Sequence, residues 1–223
     1  MFEKLKYSWA LAGLTAIAGV AALFVVGPDA IVTVHWNSVG EADDTGAAYI
    51  AFFIIPAVQA FVLLMFSALR FLEPRQANLE ASMKAVKAMA LGITGILALV
   101  QALIIGSAFG LTLMGPKMLI AGMGLMFAVM GNYFGKLKSS FFIGIRTPWT
   151  LSSDTVWRKT HRLGGKLFML AGVVMFVAAP FFHIETLSTL ILLTILPAAL
   201  IPVVCSYIWW RQEKTVTALT EGD

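Results

Sequence analysis

Apolar residues gather into six runs, at about 8 to 26, 47 to 69, 88 to 110, 113 to 134, 164 to 182 and 187 to 210. A helix rises about 1.5 Å per residue, so about 20 residues cross the roughly 30 Å hydrocarbon core of a bilayer. Each run therefore predicts a transmembrane helix. The polar stretches between them are too short for an independent soluble domain of about 50 residues or more. The pattern predicts an all-α polytopic membrane helix bundle, a single membrane domain over 1–223. Within it, 1–70 forms an N-terminal two-helix unit, and 88–210 forms a four-helix region with a cytoplasmic loop at 135–163. Pro56, Pro197 and Pro202 fall inside the second and sixth runs and predict kinks there. The first run follows Lys4 and Lys6, exceeds the usual signal-peptide core of about 7 to 15 residues and lacks a small-x-small cleavage site, so it reads as a retained helix.

The basic residues orient the bundle, because Lys and Arg mark loops that stay in the cytoplasm. Lys4 and Lys6 precede the first run; Arg70, Arg75, Lys84 and Lys87 separate the second from the third. Lys136, Lys138, Arg146, Arg158, Lys159, Arg162 and Lys166 lie between the fourth and fifth, and Arg211 and Lys214 follow the sixth. Of the 16 basic residues only Lys117 falls on the opposite side, together with Asp29, Glu41, Asp43, Asp44 and Glu185. Both termini are therefore expected in the cytoplasm. The net charge of +4 is then the basic inner face meeting anionic lipid, and no direct nucleic-acid partner is needed to explain it.

Composition narrows the chemistry. Hydrophobic residues make up 59% of the chain and charged residues 13%, against about 45–50% and about 25% in soluble domains. The solitary Cys205 excludes an intramolecular disulfide and reads as a small packing residue. Within the runs the polar groups are of the kind of Gln59, Thr94, Gln101, Ser107 and Asn132, with no clearly central charge, which argues against an ion-coupled pump. No HExxH pair, G-x-S-x-G turn, P-loop or dinucleotide fingerprint is present, so no catalytic residue and no cofactor is assigned. Gly106 with Gly110 and Gly131 with Gly135 have the spacing that lets helices approach closely, and intramolecular packing is preferred over dimerisation.

Two loops carry the remaining information. In the outer loop 27–46, Val32, Val34 and Trp36 alternate with Ile31, Thr33, His35 and Asn37, which predicts a short extended segment ending in a turn at Asn37 to Gly40. Trp36 is suited to the lipid headgroups. His35, Asp43 and Asp44 are weak candidates for a divalent cation; the plainer reading is a hydrogen-bonded loop closing the outer face.

The inner segment runs from Gly131-Asn132-Tyr133 to Arg162. Pro148 predicts extended chain over 143–147, and Ser152 or Ser153 predicts a helix cap, with Asp154 in the first turn of a helix entering the fifth run. On that helix Asp154 with Arg158, Trp157 with His161 and Arg158 with Arg162 are i,i+4 neighbours. Trp149 and Trp157 are expected at the headgroups, and Arg158, Lys159 and Arg162 near phosphates. His161 has no nucleophile and orienting carboxylate beside it in the sequence, which argues against acid–base catalysis.

These residues resemble the SdpI family of bacterial toxin-immunity membrane proteins. One carrier is Gly131-Asn132-Tyr133 followed by Phe142-Ile143-Gly144-Ile145-Arg146-Thr147-Pro148-Trp149-Thr150-Leu151-Ser152, then Val156-Trp157, Thr160-His161 and Gly164-Gly165. The other is His35-Trp36-Asn37 with Gly40, Asp43 and then Pro56, similar to a domain that commonly precedes the first signature. The resemblance implies protection of the producing cell from a secreted membrane-disrupting peptide. It also implies signal transduction, in which the toxin-engaged protein holds a transcriptional repressor at the membrane. On that reading the partners are the lipid bilayer, a peptide toxin outside and a repressor inside. The residues expected to matter are His35, Trp36, Asn37, Gly40 and Asp43 outside, and Asn132, Arg146, Thr147, Pro148, Trp149, Ser152, Trp157, Arg158, His161 and Arg162 inside. The alternatives are a membrane enzyme or lipid-handling protein that binds phosphorylated headgroups at the inner loop, and a small-molecule exporter.

Overall fold

The computed structural model describes residues 1–37, 39–111 and 115–221, without the side chains of residues 217–221. After a 3-10 turn at Phe2–Leu5, the helices are α1 (Lys6–Val26), α2 (Ala48–Leu72), α3 (Gln76–Ala81), α4 (Met83–Ala108), α5 (Gly115–Phe134), α6 (Pro148–Ser152), α7 (Asp154–Ala178) and α8 (Ile184–Glu221). Six of them, α1, α2, α4, α5, α7 and α8, are long and apolar enough to cross a membrane. The protein is a multi-pass, all-α membrane bundle. An even number of crossings returns the chain to the end where it started, the basic end, where Lys4 meets Glu80 at 2.5 Å.

The first residues of the fourth run, Leu113 and Met114, and Ser38 in the predicted turn lie outside the described residues. Pro56, Pro197 and Pro202 are each carried inside a helix. The Gly106–Gly110 spacing does not pack two helices, as it was expected to do. Gly110 has φ +71°, and Leu111 N–H donates to the Gly106 carbonyl at 2.9 Å, so this pair closes the C-terminus of α4 with glycine in the left-handed conformation.

Packing divides the spans three and three. Helices α1, α2 and α4 meet one another, α7 lies between α5 and α8, and α4 against α5 joins the two groups. In the first group buried amides bridge the helices: Gln59 Nε2 donates to the Thr94 carbonyl at 2.9 Å and to Thr15 Oγ1 at 3.3 Å, and Gln101 Nε2 donates to the Phe52 carbonyl at 3.3 Å. Neutral dipoles thus link α1, α2 and α4 without placing a charge in hydrocarbon.

The second group is built on glycine. A Cβ on Gly131 would lie 2.6 Å from the Gly165 carbonyl oxygen, one on Gly165 would lie 2.7 Å from the Gly131 carbonyl oxygen, and one on Gly124 would lie 2.7 Å from that of Gly172. Helices α5 and α7 therefore touch backbone to backbone along their length. Gly135 continues the row at 3.5 Å from Arg162 Cα, so the Gly131–Gly135 spacing packs within the chain, as expected.

At the other end the chain forms a β-hairpin. β1 (Ile31–Trp36) pairs antiparallel with β2 (Ala42–Ala47), with Ile31 opposite Ala47 and Thr33 opposite Thr45, and irregularities on either side of His35. The predicted alternation holds for β1: Val32 is 3% exposed and packs with Ala22, Ala48, Ala51, Phe52 and Ile104, while Ile31 and His35 face out. The hairpin roofs the α1–α2–α4 group. Trp36 packs partly buried against the same cluster.

Candidate functional site

The inner segment folds into a closed unit at the basic end, and its first fastening comes from outside the segment. Glu73 caps the end of α2 and is 2% exposed. Its Oε2 accepts from Ser140 Oγ at 2.5 Å, Phe141 N–H at 3.0 Å and Phe142 N–H at 3.3 Å, while Oε1 accepts from Arg75 N–H at 3.0 Å. Burial disfavours the charged carboxylate, but the hydrogen bonds from Ser140 and the three amides outweigh it and hold Glu73 below the usual carboxylate range. Beside it the Arg75 guanidinium donates to Ser139 Oγ and to the Leu151 carbonyl and lies 4.7 Å from the Phe141 ring centre. Asn78 Nδ2 donates to the Ser139 carbonyl at 2.8 Å, and Ser82 Oγ accepts the Lys138 N–H at 2.9 Å. The loop between α2 and α4 thus clasps the start of the motif.

The chain then turns twice on side-chain caps. Thr147 is extended, as Pro148 requires, and Pro148 opens a short helix that the sequence reading did not anticipate. Thr147 Oγ1 accepts the Thr150 N–H at 3.1 Å and Thr150 Oγ1 accepts the Thr147 N–H at 2.8 Å, a reciprocal capping box. Ser153, one of the two expected caps, begins α7 by accepting the Val156 N–H at 3.2 Å, with Asp154 in the first turn. Helix α6 is pinned to α8: Trp149 Nε1 donates to Ser206 Oγ, and the indole meets the Tyr207 ring edge-on at 5.2 Å. Ser152 Oγ donates to the Trp149 carbonyl at 3.2 Å.

Trp157 and His161 form the centre. Their rings stack at 4.0 Å, as their spacing suggests, but neither faces the headgroups. Trp157 is 1% exposed, in a cluster with Leu69, Met83, Val86, Leu137 and Ile143, and its Nε1 donates to the Leu137 carbonyl at 2.8 Å. The expected interfacial position is corrected for a physical reason: the loop folds over the ring and supplies an acceptor for its N–H, so the indole is satisfied inside protein. His161 is 0% exposed. Its Nδ1 faces the Trp157 carbonyl at 2.8 Å and its Nε2 faces the Ile145 N–H at 2.9 Å. A carbonyl only accepts and an amide only donates, so Nδ1 carries the proton, Nε2 is bare and the ring is neutral. Gly144, at φ +114°, lies against this ring where a side chain would collide with it.

The remaining charges face outward. Arg146 is exposed, with Nη1 donating to the Phe141 carbonyl at 2.7 Å. Among the described residues no ion pair joins Asp154 to Arg158; the guanidinium instead bonds Thr155 Oγ1 at 3.2 Å. An exposed i,i+4 pair gains little in water, and the nearer hydroxyl takes the donor. Asn132 and Arg162 line a shallow cleft of about 260 Å³ with Lys136 and Lys166, over the α5–α7 glycines.

At the hairpin end, His35 Nδ1 lies 2.6 Å from Asp43 Oδ1. Asn37 shapes the turn: its Oδ1 accepts from Val39 N–H at 3.0 Å and Glu41 N–H at 2.9 Å, and Gly40 follows at φ +87°. The proposed cation ligands do not converge. Asp44 turns its carboxylate onto the Thr45 N–H at 2.8 Å, and among the described residues no group of three or more His, Cys, Asp or Glu side chains is arranged to hold a metal ion. Val39 and Gly40 overhang a groove of about 780 Å³ bounded by Pro116, Lys117, Phe176 and Ile184.

Residues 136–206 match the SdpI/YfhL protein family. Over 91 residues the chain is 30% identical to Immunity protein SdpI of Bacillus subtilis (strain 168), a stretch that is 41% of this chain and 44% of that protein. The chain thus matches less than half the length of this curated relative. No solved structure matches it. The family segment takes in the loop that Glu73 fastens and ends on Ser206, the partner of Trp149, and it leaves out the hairpin and the clasping residues between α2 and α4.

Proposed function

Residues 136–206 belong to the SdpI family, and from that premise we propose that the protein is an immunity protein of the bacterial cytoplasmic membrane, protecting the cell from a membrane-active peptide toxin. The observation that carries this reading is the SdpI/YfhL match over residues 136–206, the segment that here folds around Trp157 and His161, together with the likeness to Immunity protein SdpI over 91 residues. The basic end faces the cytoplasm, since Lys and Arg resist translocation. The hairpin and the groove beneath it then face outward and meet the toxin, with His35, Trp36, Asn37, Gly40 and Asp43 as determinants. Inside, the buried members of the motif hold the unit together, and the exposed Arg146, Arg158, Lys159 and Arg162 face a repressor protein at the membrane. No catalytic step is assigned: both His161 nitrogens are engaged by the backbone.

The test is a survival curve. The chain is expressed in a toxin-sensitive bacterium, its insertion is confirmed, and the cells are challenged with graded amounts of a membrane-active peptide toxin. Protection that is lost with His35→Ala at equal protein level supports the immunity reading and its outer determinant. Protection that survives His35→Ala but fails with Arg146→Ala moves the determinant to the basic end. Well-inserted protein that gives no protection against any dose overturns the reading.

A further inference from the structure

A second groove, of about 660 Å³, runs along the outer side of the α4–α5 contact. Glycine keeps it open. A Cβ on Gly95 would meet nothing within 4 Å, one on Gly92 would lie 3.0 Å from Met126 Cγ, and one on Gly122 would lie 2.7 Å from Leu99 Cδ2. The groove is otherwise walled by aliphatic side chains until it reaches the basic end, where Lys84 and Lys87 form its mouth. Tyr133 stands across from them, and Lys136 Nζ lies 4.9 Å from the centre of its ring, bringing a third cation to the opening. Among the described residues no carboxylate lines the groove, and Lys84 and Lys87 have no ion-pair partner.

The length of the groove matches one kind of occupant. From Lys84 to Leu99 the wall of α4 extends about 22 Å at about 1.5 Å per residue. One leaflet of a bilayer, headgroup included, is half of about 40–45 Å. Cations therefore stand at headgroup depth, and the apolar slot runs below them through the acyl region of the same leaflet. An anionic phosphate is attracted by the two lysines, whereas a zwitterionic lipid brings an ammonium of its own that they repel. A free phosphate would satisfy the lysines and leave the slot empty.

We propose that the α4–α5 groove is a binding site for a single anionic phospholipid, its phosphate between Lys84 and Lys87 and one acyl chain along Gly92, Gly95 and Gly122. The site touches the clasped motif at Tyr133 and Lys136, uses none of the Glu73, Trp157 or His161 contacts, and does not depend on the immunity reading. Native mass spectrometry of the full chain, released from detergent after exposure to equal amounts of phosphatidylglycerol and phosphatidylcholine, tests it. The expected result is phosphatidylglycerol adducts several-fold more abundant than phosphatidylcholine adducts. Lys84→Gln with Lys87→Gln brings the two lipids level, Gly95→Leu lowers both, and millimolar glycerol phosphate fails to compete. Equal retention of the two lipids by the unaltered chain overturns the proposal, as does a phosphatidylglycerol preference that survives the double substitution. Displacement by glycerol phosphate would make this a site for a soluble anion and would equally overturn it. The lysine arm decides even if Gly95→Leu fails to fold.

Discussion

His161 Nε2 accepts the backbone N–H of Ile145 at 2.9 Å, joining the first turns of α7 to the chain that leads into α6. The bond requires a bare nitrogen and therefore a neutral ring. His161→Leu keeps much of the volume but strands the Ile145 amide, while the Trp157 carbonyl loses its side-chain donor and keeps its helical one. A partner left without its bond costs about 1–3 kcal/mol, so thermal unfolding followed by circular dichroism in detergent is expected at a clearly lower temperature. An unchanged midpoint would remove His161 from the core of the unit.

Glu73 predicts a pH dependence. Its native pKa is lowered from the ordinary carboxylate value of 4.5, so its contribution to stability is complete above that value and is lost as pH falls through the lower native one. The wild-type midpoint is expected to drop on acidification below about pH 4.5 more steeply than that of Glu73→Gln. At neutral pH the substitution replaces charge-assisted bonds by weaker ones, at a cost of about 2 kcal/mol. Parallel melts at neutral and acid pH check both statements.

The glycine contacts of α5 and α7 predict a sharp contrast between positions. Gly165→Leu drives a side chain into the Gly131 carbonyl, where a Cβ alone would stand at 2.7 Å, and overpacking of this kind costs about 1–3 kcal/mol or more. Gly13→Ala, on α1, meets nothing within 4 Å and is expected within about 0.5 kcal/mol of wild type. Yield of folded protein and melting temperature distinguish the two.

The hairpin pair should matter little to stability. The side chains of His35 and Asp43 are 63% and 41% exposed, and exposed pairs are worth about 0–1 kcal/mol. Asp43→Asn is therefore expected to leave the melting temperature nearly unchanged, so any loss of protection in the survival assay reports on recognition and not on folding.

Trp149 predicts a local effect. Trp149→Phe removes the N–H that Ser206 Oγ accepts, and the amides of residues 149–152 in α6 are expected to exchange hydrogen faster while those in the middle of α7 keep their protection. Uniform loss of protection along α7 would show instead that the α6–α8 contact supports the whole bundle.

The six spans were legible because each is apolar over a membrane's thickness, and Ser153 was legible because a hydroxyl before an acidic first turn has one common use. Other features left little trace. β2 reads Ala42-Asp43-Asp44-Thr45-Gly46-Ala47, almost without the branched and aromatic residues that favour strands, and it forms because β1 offers it an edge. Glu73 is a lone acid at a helix end, which reads as a solvated residue until a loop some 67 positions away closes over it. Trp157 was misplaced because tryptophan near a span boundary ordinarily marks the headgroups, and only the folded loop supplies the Leu137 carbonyl. The Gly131–Gly135 spacing was read correctly, but its partner Gly165 on α7, and the second contact of Gly124 with Gly172, were not visible from spacing alone.

Where Gly131 faces Gly165 and Gly124 faces Gly172, backbone meets backbone between α5 and α7, so sliding one helix past the other drives carbonyls into the facing chain and the pair is expected to move as one stiff strut. Its far end carries Phe176, in the wall of the groove under the hairpin turn, and its near end carries Trp157 and His161. A load applied at the far end is delivered at the near end as displacement instead of being absorbed along the way. The part of this fold that gives way must therefore lie at the strut's fastenings, the Glu73 clasp and the Trp149 pin, and not along its shaft.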